Sequence, residues 1–202
     1  MYENADYKSN IANDLGRFIK VYEDVLTPDE CNFLIQTFED SDNKYAGAVF
    51  TENGLEMHPE SKHVTQAKVE YDSEADLLLS ANVGKVLQEY AGNYEYYPAP
   101  TAFTDSGYHI KKYEPHTDFY NWHTDNCSLE TSLRVIAMLF YLNDVEEGGQ
   151  TEFDDLNIAV QPKQGRVLLF PTGFTYPHRA VTPVSGPKYI MNTFIGYDGS
   201  RL

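Results

Sequence analysis

Cysteine is scarce in this 202-residue chain: only Cys31 and Cys127 are present. Two thiols do not make a disulfide framework, and a reducing cytoplasm is the simpler setting. Basic residues are also few, 15 against 31 acidic, for a formal net charge of -16. Such a surface repels a phosphate backbone, which argues against nucleic acid as a partner. No stretch approaches the roughly 18 consecutive apolar residues of a membrane span, and the opening segment, "MYENADYKSNIANDLG", lacks the apolar core of a secretory leader. No internal repeat or low-complexity run appears. Aromatic residues are plentiful, with 16 Tyr and 11 Phe. They favour strands and exclude a disordered chain of low hydrophobicity.

The first half reads as helices with a few strands. "RFIKVYEDVL" (17–26) has the β-branched and aromatic content of a strand. Thr27-Pro28 with Glu30 is a helix start: a cap, a proline in the first turn and a glutamate three residues past the cap. Cys31, Leu34, Ile35 and Phe38 then form one apolar stripe. "YAGAVF" and "KHVTQAKVEY" are short strand-like pieces within residues 43–72. Ser73 caps a second helix, with Leu79, Val83, Val86 and Tyr90 inward and Gly92-Asn93 at its end. From residue 101 the texture changes to strands separated by turn signals. "YHIKKY", "LRVIAMLFYL", "IAVQP", "GRVLLFP" and "KYIMNTFIGY" alternate with "NDVEEGGQ", "QPKQG" and "TPVSGP". The expectation is one α+β domain over 1–202, with helical support mainly in 1–100 and a double-sheet jelly roll mainly in 101–202.

The stretch "PHTDFYNWHTDN" carries the triplet His-Thr-Asp twice, at 116–118 and 123–125. Residues i and i+2 of an extended segment point the same way, so a His and an Asp can reach one ion from one strand. Alone this is a weak signal. His178, in "GFTYPHRAV", is the one histidine downstream and offers a third ligand. Two histidines and a carboxylate on one face of an iron leave positions open for substrate and oxygen, as in non-haem Fe(II) oxygenases. Ten residues further on, Lys188 opens an apolar strand. It either snorkels at a strand end or answers a buried anion. His58 and His63 read as solvated loop residues, and His109 as a hydrogen-bonded strand residue.

From about Tyr113 to Tyr197 these features, in this order, resemble the 2-oxoglutarate and Fe(II)-dependent dioxygenases, within them the prolyl 4-hydroxylase-like branch. "WHTDN", "RVIAMLFYLNDVEEGGQTEF", "PKQGRVLLFP" and "PHRAVTPVSGPKY" carry the resemblance. It implies a double-stranded β-helix with N-terminal supporting helices. It also implies His123, Asp125 and His178 as iron ligands, and Lys188 as partner of the distal carboxylate of 2-oxoglutarate. Tyr141 adds a hydroxyl hydrogen bond to that carboxylate, and Tyr113 lines the cosubstrate pocket. Arg134 matches a position implicated in peptide binding, and Phe194 an aromatic wall. His116 falls where the family often has glycine, so the second triplet is the metal-binding one. His116 and Asp118 become loop residues near the site mouth, either solvated or in contact with substrate. The aromatics near the site read mostly as barrel core, and Cys127 as non-catalytic. The implied cofactors are Fe(II), 2-oxoglutarate and O2, with ascorbate as reductant. The implied substrate is a peptidyl prolyl residue of a peptide or protein. A free amino acid or other small molecule, or a metal-binding jelly roll without turnover, are the alternatives.

Overall fold

The computed structural model describes residues 13–51, 54–94, 103–154 and 156–197. Residues 1–12, most of the polar opening segment, lie outside these. Two helices, α1 (Pro28–Glu39) and α2 (Glu74–Gly92), pack on a strand-rich body. The strands of the first half are β1 (Asn13–Asp14), β2 (Lys20–Tyr22), β3 (Tyr45–Ala46), β4 (Val49–Thr51), β5 (Gly54–Glu56), β6 (Lys62–His63) and β7 (Thr65–Lys68). The second half supplies β8 (Phe103–Asp105), β9 (His109–Tyr113), β10 (Phe119–His123), β11 (Arg134–Tyr141), β12 (Thr151–Phe153), β13 (Ile158–Val160), β14 (Val167–Pro171), β15 (His178–Ala180) and β16 (Lys188–Tyr197).

Among the described residues the larger sheet runs β1-β2-β14-β11-β16-β9-β7-β3, with β8 also on β16, and the smaller runs β13-β12-β15-β10-β6. Every pairing is antiparallel. This is a double-stranded β-helix core with helices on one side, the α+β architecture expected. The first half does more than support it, since β2, β3 and β7 extend the large sheet and β6 edges the small one.

The helices form where their ends are satisfied. Thr27 Oγ1 accepts the amide of Glu30 at 3.3 Å, and the Glu30 carboxylate accepts the amide of Thr27 at 2.7 Å. The two bonds satisfy amides that the first helical turn leaves without partners. Ser73 Oγ accepts the amide of Asp76 in the same way. Cys31, Leu34 and Phe38 of α1 are buried, as are Leu79, Val83, Val86 and Tyr90 of α2. The strand expected over 17–26 shrinks to Lys20–Tyr22. Arg17, Phe18 and Asp24 have φ of 49°, 67° and 52°, left-handed conformations that no strand continues through.

The long strands look continuously apolar because the large sheet is covered on both faces. On β11, Ile136, Met138 and Phe140 face the helices, while Ala137 and Tyr141 face the smaller sheet. On β14, Val167 and Leu169 alternate with Leu168 and Phe170 in the same way. On β16, Tyr189, Met191 and Ile195 belong to the helix side. Period-two alternation therefore turns Lys188, Ile190, Asn192 and Phe194 toward the space between the sheets. Polar residues on that face are the ones to explain. No helix among the described residues is long and apolar enough to cross a membrane.

Candidate metal and cosubstrate site

β10 and β15 are neighbours in the smaller sheet, and their pairing sets His123 opposite His178. The register shifts between Tyr120 and His123, a local irregularity of the kind that re-aims side chains beside functional sites. The His123 ring Nδ1 meets the carbonyl of Asn121 at 2.7 Å, and that of His178 meets the carbonyl of Tyr176 at 3.1 Å. Each ring thus uses one nitrogen on the backbone two residues before it. The other nitrogen, Nε2, is left to point inward. His123 Nε2 lies 3.7 Å from Asp125 Oδ1, and His178 Nε2 lies 3.4 Å from Asp125 Oδ2. Ligand atoms of all three residues fall within 4.8 Å of one another. Donors about 2.1 Å from one ion on a single octahedral face stand roughly 3 Å apart, so a small inward movement completes the set.

The surroundings suit a neutral imidazole at His123. Burial, reinforced by His178, pushes His123 well below the usual histidine range. Tyr120 stacks on His123, with ring centroids 3.4 Å apart. Phe170 meets His178 edge-on at 4.6 Å. The loop after Asp125 is tied down from several sides. Arg134 Nη1 donates to the Asp125 carbonyl at 3.1 Å, and the amide of Asn126 donates to the Thr172 carbonyl at 3.1 Å.

Lys188 is 1% exposed. Its ammonium donates to the carbonyl of Gly149 at 2.6 Å and has no carboxylate partner among the described residues. Burial alone pulls it down to about 7. The rings of Tyr113 and Tyr141 flank it at 5.1 and 5.7 Å. Gly149 takes its place through the "EEGGQ" turn, where Gly148 has φ of 74° and a Cβ would run into the Thr182 carbonyl. A small cavity of about 40 Å³ joins Lys188, Tyr113 and Thr151 to His123, Asp125 and His178. Tyr141, expected to bond a cosubstrate carboxylate, donates its hydroxyl to Thr151 Oγ1 at 2.8 Å. Thr151 is the residue of that pair on the cavity wall, and nothing in the sequence singled it out.

The small cavity adjoins a larger one of about 820 Å³, whose wall shares Tyr120, His123, Asp125, Lys111, Asn192 and Phe194 with it. Arg134 lies there with its guanidinium 3.9 Å above the Phe194 ring, so it is a cavity residue and not a free surface one. Cys127 also lines it and is a free thiol. Trp122 is 42% exposed on the same wall, beneath the guanidinium of Arg179. Lys62, Lys111 and Asn192 belong to this wall too and carried no signal in the sequence beyond their strand positions.

The first triplet is elsewhere. His116 is exposed with φ of 64°, a left-handed conformation that glycine adopts without strain. Asp118 is not a solvated loop residue; it is 3% exposed and accepts from the His63 ring at 2.6 Å and from the Thr117 hydroxyl at 2.9 Å. His63, read as solvated, is therefore paired, although more than half of its side chain is exposed. His109 lines the large cavity, where burial takes it down to about 4.

The family model described as the 2OG-Fe(II) oxygenase superfamily matches residues 108–196. The chain is 33% identical over 100 residues to the prolyl 4-hydroxylase subunit alpha-1 of Gallus gallus. That match covers 45% of this chain and 19% of the relative's length. Among solved structures it resembles the viral collagen prolyl hydroxylase of Paramecium Bursaria Chlorella virus-1 in complex with 2OG. The TM-score is 0.70 at 19% identity, over 91% of this chain and 98% of that one. It also resembles a Trichoplax adhaerens prolyl hydroxylase in complex with a hypoxia inducible factor peptide fragment. There the TM-score is 0.67 at 18% identity, over 91% and 85% of the two chains. At these identities the structural likeness speaks for the fold.

Proposed function

We propose, on the match of residues 108–196 to the 2OG-Fe(II) oxygenase superfamily model, that the protein is a Fe(II)- and 2-oxoglutarate-dependent dioxygenase. We propose that it hydroxylates a side chain of a peptide, prolyl first among the candidates. The observation that carries the reading is the pairing of an intact His-Asp-His donor set with a buried, uncompensated lysine on one small cavity.

His123, Asp125 and His178 would hold the iron, and the described residues offer no fourth protein ligand in that cluster. A two-histidine, one-carboxylate set leaves sites free for exchangeable ligands. A structural metal site is normally closed by the protein itself. Lys188 would receive the distal carboxylate of 2-oxoglutarate. Its carbonyl partner orients the ammonium without neutralising it, and a carboxylate would remove a penalty of several kcal/mol, roughly. Thr151, positioned by the Tyr141 hydroxyl, stands beside it as a second polar contact. Tyr113 closes the pocket. Bound there with 2-oxoglutarate and dioxygen, Fe(II) supplies the oxidant that places one oxygen atom in a substrate C–H bond as succinate and CO2 are released. Tyr120 stacks on the His123 ring, and Phe153 and Phe170 pack on the His178 ring, which holds both rings in place. The large cavity would take the substrate, with Arg134 and Phe194 at its inner wall. Ascorbate is expected to sustain turnover, and two free cysteines suit a reducing compartment.

The test is anaerobic loading with Fe(II), then addition of O2, ascorbate and 2-oxoglutarate, with succinate quantified with and without proline-containing peptides. Succinate should form slowly alone and faster with an accepted peptide. An iron-loaded protein that makes none, with peptides or with free amino acids, is a metal-binding jelly roll and the proposal is wrong.

A further inference from the structure

We infer that the large cavity selects a substrate bearing a carboxylate close to the reacting carbon, received by Lys111 with Lys62 and Arg134 around it. This rests on the dioxygenase reading and names the substrate class of that site.

The protein carries a net charge of -16, yet the wall of this cavity is cationic. Lys62, Lys111 and Arg134 line it, and among the described residues Asp125 is the only carboxylate there. Asp125 is already committed. In the proposed loaded site, Asp125 and the two carboxylates of 2-oxoglutarate balance the charges of Fe(II) and Lys188. The three cations of the large cavity are then left over.

Two of the three have neutral anchors. Lys62 donates to the Ala48 carbonyl at 3.0 Å and lies over the Tyr120 ring. Arg134 donates to the Asp125 carbonyl and lies over Phe194. The ammonium of Lys111 has no hydrogen bond or ion pair among the described residues. It sits mid-sheet on β9, between Gln66 of β7 and Ile190 of β16, and lines both cavities. An interior position gives its stem no route to a sheet edge, so the cavity is where its charge goes. A ligand carboxylate there would give it an ion-pair partner. Burial and the neighbouring Lys62 ammonium hold it well below the ordinary lysine range, in keeping with that missing partner.

Asn192 points to the same ligand independently. It is 4% exposed, lines both cavities, and its Oδ1 is buried without a hydrogen-bond partner. An ammonium that lacks an acceptor and a carboxamide oxygen that lacks a donor stand on adjacent strands. A carboxylate next to an N–H satisfies both. An acidic side chain within a peptide and the α-carboxylate of a free amino acid both have that chemistry.

Trp122, the one tryptophan of the chain, lies on the cavity wall and reports its occupancy by fluorescence. Acetyl-Glu-Pro-Glu-amide, acetyl-Gln-Pro-Gln-amide and free L-proline would be titrated into the protein loaded with Mn(II) and 2-oxoglutarate. One charge-assisted hydrogen bond predicts binding about 10-fold tighter for a carboxylate probe than for the Gln peptide, with the gap narrowing at high salt. Preference for the Glu peptide assigns the carboxylate to a side chain; preference for L-proline assigns it to a free amino acid. Lys111→Met should erase most of the gap and Lys111→Arg should keep it. Equal binding of all three probes overturns the inference, as does a Lys111→Met protein that loses 2-oxoglutarate affinity as Lys188→Met does. Succinate formation without carboxylate preference sinks only this inference. Carboxylate preference without any succinate formation sinks the dioxygenase reading.

Discussion

Residues 116–118 and 123–125 have the same three side chains and do different work. In the second triplet, His123 ends strand β10 and Asp125 follows in a loop pinned by Arg134 and Asn126, so both ligand groups face His178. In the first, His116 sits at φ of 64° with its side chain exposed, and Asp118 turns inward to His63. The first triplet fastens the entry of β10 against β6; the second presents candidate ligands at its exit. A His-x-Asp pattern acquires chemistry from where the strand begins and ends.

The largest effect that separates them is on turnover. His123→Ala and Asp125→Ala should reduce iron-dependent succinate formation to background, while His116→Ala retains it; the reverse pattern in the same assay would exchange their roles. Next is Lys188→Ala. Loss of one charge-assisted bond predicts about a 10- to 100-fold rise in the 2-oxoglutarate requirement, read from succinate formed against cosubstrate concentration. An unchanged requirement moves the carboxylate anchor elsewhere. Asp118→Asn should cost about 1–2 kcal/mol in denaturant unfolding with turnover kept, because it weakens a buried bond and touches no ligand. Smallest is His116→Gly, which should stabilise by up to about 1 kcal/mol by relieving a left-handed backbone. A destabilised His116→Gly would mean that the imidazole contributes more than its backbone costs.

The long elements were legible in the sequence because their residues answer to local rules. Thr27, Pro28 and Glu30 announce α1, and Ser73 announces α2. β11, β14 and β16 are long apolar runs because both of their faces are buried. The strands β6, β12 and β15 have only two or three residues, too few for a period, and their partners are chosen by tertiary packing. That is why His63 looked solvated, and why Thr151 went unseen as the acceptor of the Tyr141 hydroxyl. The candidate triad was legible only through the resemblance of the segments around it, since the local signal occurs twice. The backbone carbonyls of Asn121 and Tyr176 that orient the two rings have no side-chain signature at all. Lys111 was hidden in "KK", where the first lysine faces the cavity and the second, Lys112, faces Glu39 of α1 at 3.1 Å. Strand parity, not composition, separates the two.

The most direct test of the whole account is an anaerobic crystal structure with Mn(II) and 2-oxoglutarate. The account predicts the ion on His123 Nε2, an Asp125 oxygen and His178 Nε2, with the far carboxylate of 2-oxoglutarate on Lys188 Nζ. An ion held by His63, His116 or Asp118, or a 2-oxoglutarate that leaves Lys188 bonded to the Gly149 carbonyl alone, would contradict it.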